Sequence, residues 1–491
     1  MNQNDINILR GLPVAEPSMI IGGTKVPASE GSAMEVVSPI DGSVLTQLPN
    51  ASEADVAKAV TAARTAFDTG TSWARLAPAA RKKVMLNWAK LIEEHALELA
   101  VLGVRDNGTE IGMAFKAEPL SAVGTIRYYA EAIDKIYGEI APTDPSVLGM
   151  IHKEPVGVVG AIVPWNFPLM ITAWKIAPAL AMGNSVVLKP SEIASLSVLR
   201  MVELAHEAGM PDGVLNVVSG EGAVVGQALA LSMDVDVLVF TGSGGVGRRL
   251  MEYSAQSNLK RVYLELGGKS PHLVFDDTRD LDAAASAVVN GIFRNSGQVC
   301  VAGSRLLVQD SIHDAFVDKI VTLSEKLRVG DPLDMNSQIG ALSSEGHLQN
   351  ILGRVEGTKG LATGGQRILS ETGGSYMAPT IVTEMGPDDD LVRNEVFGPV
   401  LTVTRFKDEA DAVHLANATE LGLAAGVWTS DLGRAHRMIA AIKAGVVHVN
   451  TYGGADNTVP LGGFKQSGNG QDKSLHAIDK FINKKTAWIK L

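Results

Sequence analysis

Cysteine is nearly absent: Cys300 is the only one in 491 residues. No intrachain disulfide can form, and a cluster of thiolates cannot hold a metal. The ten histidines are scattered, with no HExxH-type helical pair, so no metal is expected. Basic side chains are in deficit, 43 Lys and Arg against 54 Asp and Glu, for a formal net charge of -11. An acidic surface repels phosphate backbones, which argues against nucleic acid as a partner. Long apolar runs are missing, so no segment is expected to span a membrane. The opening MNQNDINILRGLPVAEP lacks the basic stretch and apolar core of a secretory signal. These absences together make a cytoplasmic protein the expectation.

What remains is an ordinary globular composition, 46% hydrophobic and 20% charged. The length exceeds one hydrophobic core and implies two or three domains. The 51 glycines point to tight turns and close backbone approaches. Residues 19–50 read as short strands, followed by helices over 53–68, 76–104 and 115–134. From 156 onward, runs of Val, Ile and Leu alternate with helical patterns: VGVVGAIVP, NSVVLKP, VLNVVS, VDVLVF and RVYLEL. Such runs suit parallel strands buried on both faces, hence a doubly wound α/β unit. A second alternating series follows residue 270, with strands PHLVF, SRLLVQ, VLTVTRF, AAGVWTS and VVHVN. Helices are expected near 281–293, 311–328, 408–418 and 432–443. The tail FINKKTAWIKL reads as a strand with no local partner, which suits pairing with a distant segment or another subunit.

Residues 242–247, GSGGVG, form a GxGxxG between the strand VDVLVF and a helix, the context in which glycines admit a pyrophosphate to a helix N-terminus. A glycine turn that only packs helix on strand has the same spelling. A ribose-binding acid is expected about 20 residues on, at a strand end. Glu265 meets that description; Glu192, which also ends a strand and has Lys189 beside it, is a second candidate, and spacing does not decide between them. Cys300 lies in the glycine-flanked loop NSGQVCVAGS. A lone cysteine is more often a small buried hydrophobe than a nucleophile, but this loop placement and its polar neighbours favour chemistry.

PWNFP at 164–168, KPSE at 189–192, FTGS at 240–243, ELGGKS at 265–270, GQVC at 297–300 and EVFGPV at 395–400 together resemble the aldehyde dehydrogenase superfamily, in its order and over nearly the whole chain. The resemblance implies an α/β fold with a Rossmann-like cofactor domain (1–134 and 153–265), an α/β catalytic domain (266–470) and a small β oligomerisation element (135–152 and 471–491), assembled as a homodimer or homotetramer. It implies NAD as cofactor, with NADP as an alternative, and a small-molecule aldehyde as substrate. Cys300 then matches the nucleophile, Asn166 the oxyanion donor and Glu265 the general base, which leaves Glu192 for the adenosine ribose. Lys175 and Asp472 match positions linked to proton relay. The implied cofactor surface is Pro164, Trp165, Lys189, Ser191, Glu192, Gly222, Gly226, Phe240, Thr241, Gly242, Ser243, Val246, Leu266, Glu395 and Phe397. The family's pyrophosphate turn differs from the ordinary Rossmann one, so GSGGVG is not a standard copy.

Within the family, RYYAEAIDKIYGE at 127–139 and TVPLGGFKQSGNGQDKSLHAIDKF at 458–481 are most similar to γ-glutamyl-γ-aminobutyraldehyde and other aminoaldehyde dehydrogenases of polyamine breakdown. Glu118 and Asp456 match positions near the substrate entrance and are expected to attract a protonated amine; a solvated loop acid is the plainer alternative. Phe167 and Trp174 match channel-lining positions, and Leu461 stands where many relatives have an aromatic. The competing readings are a broad-specificity or betaine-type enzyme, a dehydrogenase that transfers the acyl group to coenzyme A, and a relative without activity. Glu265, Cys300 and Asn166 together argue against the last two.

Overall fold

A computed structural model describes residues 1–69, 73–454 and 456–491. Its first large sheet follows from the apolar runs. Val158–Ile162, Ser185–Lys189 and Val237–Thr241 are buried along their whole length, as strands covered on both faces must be. The seven strands run in the order Arg261–Glu265, Val237–Thr241, Val158–Ile162, Ser185–Lys189, Leu215–Val217, Met19–Ile21, Thr24–Val26. All neighbours are parallel except the terminal hairpin, which joins antiparallel through Ile20 and Val217. A second seven-stranded sheet has the order Leu361–Thr363, Thr380–Val382, Val400–Phe406, Arg305–Gln309, Pro271–Val274, Ala424–Trp428, Val446–Val449. It too is parallel, apart from its first strand.

The tail finds a distant partner. Ile482–Lys490 pairs antiparallel with Val147–Pro155 over its full length, and Glu139–Ala141 completes a three-stranded sheet. Tyr137, Ile140 and Trp488 are exposed on or beside it.

Two expectations about helices are corrected. The single helix over 76–104 is two, Pro78–Glu94 and Ala96–Asn107, broken at His95 (φ −100°, ψ 15°). The helix over 115–134 is interrupted by a wide turn at Lys116–Leu120, between Ile111–Phe115 and Ser121–Ala132. Pro119 lies in that turn; it has no N–H to donate, so the regular ladder cannot pass through it. Helices Gln3–Gly11 and Glu345–Val355 and strands Leu361–Thr363 and Thr380–Val382 were not anticipated. By contrast Glu53–Asp68 starts where Ser52 and Asp55 cap it, with Asp55 Oδ2 accepting from Ser52 N at 3.2 Å.

Candidate active site

The first sheet delivers its motifs to one edge. Ile162, Lys189, Thr241 and Glu265 are the last residues of four adjacent parallel strands, the rim at which open α/β sheets bind ligands. Thr241 and Glu265 lie opposite each other in register. At this rim Lys189 Nζ is 2.7 Å from Glu192 Oε2. Burial opposes the Glu192 charge, but Lys189 outweighs it and holds the carboxyl below its ordinary range. Gly222 faces the pair, with space for a Cβ only 3.9 Å from Lys189 Nζ, and Gly226 packs toward Ile162. Ser191 turns inward, its hydroxyl accepting from Ile193 N. In GSGGVG two of the four glycines serve close packing: a Cβ on Gly242 would sit 2.4 Å from the Phe240 ring, and one on Gly247 would sit 3.0 Å from Leu266, while Gly245 faces open space. Ser243 caps the helix Gly244–Gln256 by accepting from Val246 N, leaving Val246 exposed on the first turn.

Inside this rim lies a cavity of about 220 Å³ walled by Pro164, Trp165, Asn166, the turn Thr241–Ser243, Leu266 and, opposite, Glu395 and Phe397. Phe397 adopts φ 58° and presents its ring edge-on to Trp165 at 5.3 Å. Glu395 Oε1 accepts from Gly268 N at 3.0 Å. Burial pushes Glu395 up to about 7 against the pull of that N–H and of Lys269 and Arg354. Gly267 is required here, since a Cβ would lie 2.0 Å from Glu395 Oε2. A cavity with a helix N-terminus, close backbone and the Glu395 carboxylate in its wall, with Glu192 elsewhere on the same strand-end rim, suits a dinucleotide with two ribose diols.

Cys300 closes the inner end of this cavity and also lines a second one. It follows three residues in left-handed backbone, Asn295, Ser296 and Gly297, at φ 50°, 53° and 73°. Such strain persists only where contacts enforce it. Glu110 Oε1 accepts from Asn295 N, Asn295 Nδ2 donates to Asn166 O, and Ser296 Oγ donates to Gly340 O. Asn166 in turn donates one amide hydrogen to Gln298 O at 2.9 Å. Burial, then the charges of Glu265 and Glu395, push the Cys300 thiol up to about 12.

Glu265 is buried, and both its oxygens are without a hydrogen-bond partner among the described residues. Burial, then Asp472, push it up to about 8, while Lys175 and Lys480 pull it back. Behind it Asp472 bridges two buried ammonium groups, Lys175 at 2.5 Å and Lys480 at 2.6 Å. Lys480 was missed because nothing in AIDKF distinguishes it. Lys269, fully buried, with an Nζ that has no hydrogen-bond partner among the described residues and pushed down to about 7 by that burial, was passed over within ELGGKS.

The second cavity, about 190 Å³, is lined by Phe167, Met170, Trp174, Val299 and Leu461, with Arg294, His448 and Lys473 as its polar members. Phe167 and Trp174 are thus in this lining, and Glu118 and Asp456 are not. Glu118 is buried in the Pro119 turn, where its Oε2 accepts from Leu169 N and Met170 N at 2.8 and 2.9 Å and caps the helix Pro168–Ala181. The widened turn aims it at these orphan donors and away from the cavity. Asp456 is exposed; its carboxylate accepts from Thr458 N at 2.7 Å and acts on Lys473.

The aldehyde dehydrogenase family model matches residues 26–487. The chain belongs to the aldehyde dehydrogenase family. It is similar to the NADP/NAD-dependent aldehyde dehydrogenase PuuC of Escherichia coli K12, with 47% identity over 479 residues, 97% of this chain and 96% of the relative. Two solved structures are superposable end to end. The γ-glutamyl-γ-aminobutyraldehyde dehydrogenase of Burkholderia cenocepacia J2315 gives a TM-score of 0.97 at 48% identity, covering 100% of both chains. An indole-3-acetaldehyde dehydrogenase complexed with NAD⁺ gives 0.97 at 46%, also covering 100% of both. No helix of this aldehyde dehydrogenase is long and apolar enough to cross a membrane, among the described residues.

Proposed function

We propose that this NAD(P)-dependent aldehyde dehydrogenase uses Cys300 as nucleophile, Asn166 as oxyanion donor and Glu265 as general base. One observation carries the reading: Cys300 lies on both cavities, so an aldehyde arriving through one meets a cofactor held in the other. Cys300 Sγ attacks the carbonyl carbon, and its proton passes to a base. One Asn166 amide hydrogen fixes the side chain on Gln298 O; the second is left for the oxyanion, with the Cys300 N–H beside it. NAD⁺, when bound, supplies the oxidising chemistry by accepting a hydride. Glu265 then takes a proton from water, which attacks the thioester and frees the carboxylate and the thiol. The unpartnered oxygens of Glu265 and its pKa near 8 suit a base that works close to neutrality. The Lys175–Asp472–Lys480 group supports passing that proton onward. A hydrolytic base of this kind favours release of acid over transfer to coenzyme A.

Pro164, Trp165, Thr241, Gly242, Leu266, Glu395 and Phe397 are proposed to hold the nicotinamide half of the cofactor. Lys189, Ser191, Glu192, Gly222, Gly226, Phe240, Ser243 and Val246 are proposed for the adenosine half and the pyrophosphate. Glu192 favours NAD over NADP, because a carboxylate repels a 2′-phosphate. The substrate is proposed to belong with the amino- and γ-glutamylamino-aldehydes, on the strength of the similarity to the γ-glutamyl-γ-aminobutyraldehyde dehydrogenase of Burkholderia cenocepacia. Segments 1–134 with 153–265, 266–470, and 135–152 with 471–491 are proposed as cofactor, catalytic and oligomerisation units. The exposed apolar residues of the last support a homodimer or homotetramer, and the lone free thiol supports a cytoplasmic site.

Stopped-flow NADH formation tests the chemistry. Glu265→Gln is expected to keep a first burst stoichiometric with enzyme and to lose steady turnover; unchanged turnover would remove Glu265 from the hydrolysis.

A further inference from the structure

The polar lining of the substrate-side cavity is cationic. Arg294 and Lys473 line it with the neutral-leaning His448, and no carboxylate does among the described residues. Arg294 is the last residue before the left-handed Asn295–Ser296 pair, so the strained backbone that positions Cys300 also aims this side chain. The guanidinium lies along Gly453 (φ 82°), where a Cβ would come 3.2 Å from Nη1; the loop leaves room for it. Its Nε is buried without a hydrogen-bond partner among the described residues.

The groups that face Arg294 do not neutralise it. Glu110 feels its charge, but burial pushes that acid up to about 7, and its Oε1 is committed to Asn295 N. Burial and the Arg294 charge both hold His448 below its ordinary range, which favours the neutral imidazole; it carries no negative charge to offset Arg294. Tyr452 donates its hydroxyl to Val301 O. Asp456 sits outside, exposed, and acts on Lys473. A half-buried guanidinium with an unused donor in an apolar cavity repels an ammonium and rewards a carboxylate, which it can hold through two parallel N–H bonds.

We infer that Arg294 is a specificity residue that grips a carboxylate on the far end of the substrate, so the preferred aldehyde is acid-tailed, and an amino-aldehyde is taken in an acylated, carboxylate-bearing form in place of the free ammonium. This rests on the reading of Cys300 as nucleophile and deepens it. It also replaces the expected attraction of a free amine by Glu118 and Asp456, neither of which is in the cavity lining.

The test is kcat/KM, with NAD⁺ at saturation, for three aldehydes of matched length ending in a carboxylate, a methyl group and an ammonium. The order expected is carboxylate, methyl, ammonium. Arg294→Gln should shrink the carboxylate-over-methyl ratio roughly tenfold to a hundredfold, the size of a charge-assisted hydrogen bond, and Arg294→Lys should restore part of it. The wild-type series stands by itself should the variants fold poorly. A wild type that oxidises the methyl-ended aldehyde without favouring the carboxylate overturns this inference alone. One that oxidises none of the three overturns the Cys300 reading with it. A ratio unmoved by Arg294→Gln removes Arg294 as the anchor.

Discussion

The two cavities that meet at Cys300 are built in opposite ways. The cofactor side is made by backbone: four strand ends, a capped helix N-terminus and glycines that cannot carry a side chain, such as Gly242 and Gly267. The proposed substrate side is made by side chains from separate segments: Phe167 and Trp174 from the N-cap and body of the helix Pro168–Ala181, and Arg294, Leu461 and Lys473 from elsewhere in the chain. A backbone site changes little when single side chains change. A side-chain site can be rewritten one residue at a time, and that is where members of one family diverge in substrate while sharing a cofactor.

The sharpest break in this comparison is at the junction. Cys300→Ala is expected to cut NADH production on the order of 10⁴-fold or more, while NAD⁺ binding, followed by calorimetry, stays near the wild-type value. Glu265→Gln should cost about 10²–10⁴ in steady turnover. The sign with pH follows from its raised pKa. Glu265 is largely protonated at neutrality and becomes a base as pH rises through about 8, so hydrolysis should climb over that range, and the variant's profile should be flat there. On the cofactor side, Glu192→Gln should move the NADP-to-NAD ratio of kcat/KM upward by about tenfold, leaving aldehyde preference unaltered. The smallest effect concerns Glu118. Burial pushes it up to about 8, so the neutral acid is already the main form at pH 7, and Glu118→Gln should melt within a few degrees of wild type. Glu118→Ala, which strands two helix N–H groups, should lose about 1–3 kcal/mol. Neither should alter the ammonium-to-methyl ratio; a change there would return Glu118 to the substrate path.

The same division explains what the sequence disclosed. Strand ends with motifs on them are local facts, so the placing of Lys189, Thr241 and Glu265 at strand ends, with Asn166 in the loop after Val158–Ile162, was readable. The buried runs from 156 onward and the orphan tail were readable too, because their patterns fit one secondary structure and one degree of burial. The substrate side was not. Arg294 is one residue from a recognised loop, but its direction comes from left-handed backbone at Asn295 and Ser296, two residue types that do not announce it. Glu118 was misplaced because Pro119 widens a turn that periodicity reads as continuous helix. Lys480 meets Asp472 only through the path of the chain between residues 472 and 480.

That path carries a further consequence. Asp472 and Lys480 immediately precede the strand Ile482–Lys490, and Tyr129 fastens the intervening segment by donating to Ser474 O. The seam that zips the tail to Val147–Pro155 is therefore also the anchor for the counter-charges behind Glu265. Peeling that seam from its end would disarm the base before either large sheet is disturbed, and limited proteolysis of the tail should abolish turnover while the melting of the remainder persists. On the proposed mechanism, holding on to the last strand and hydrolysing the thioester are one mechanical condition.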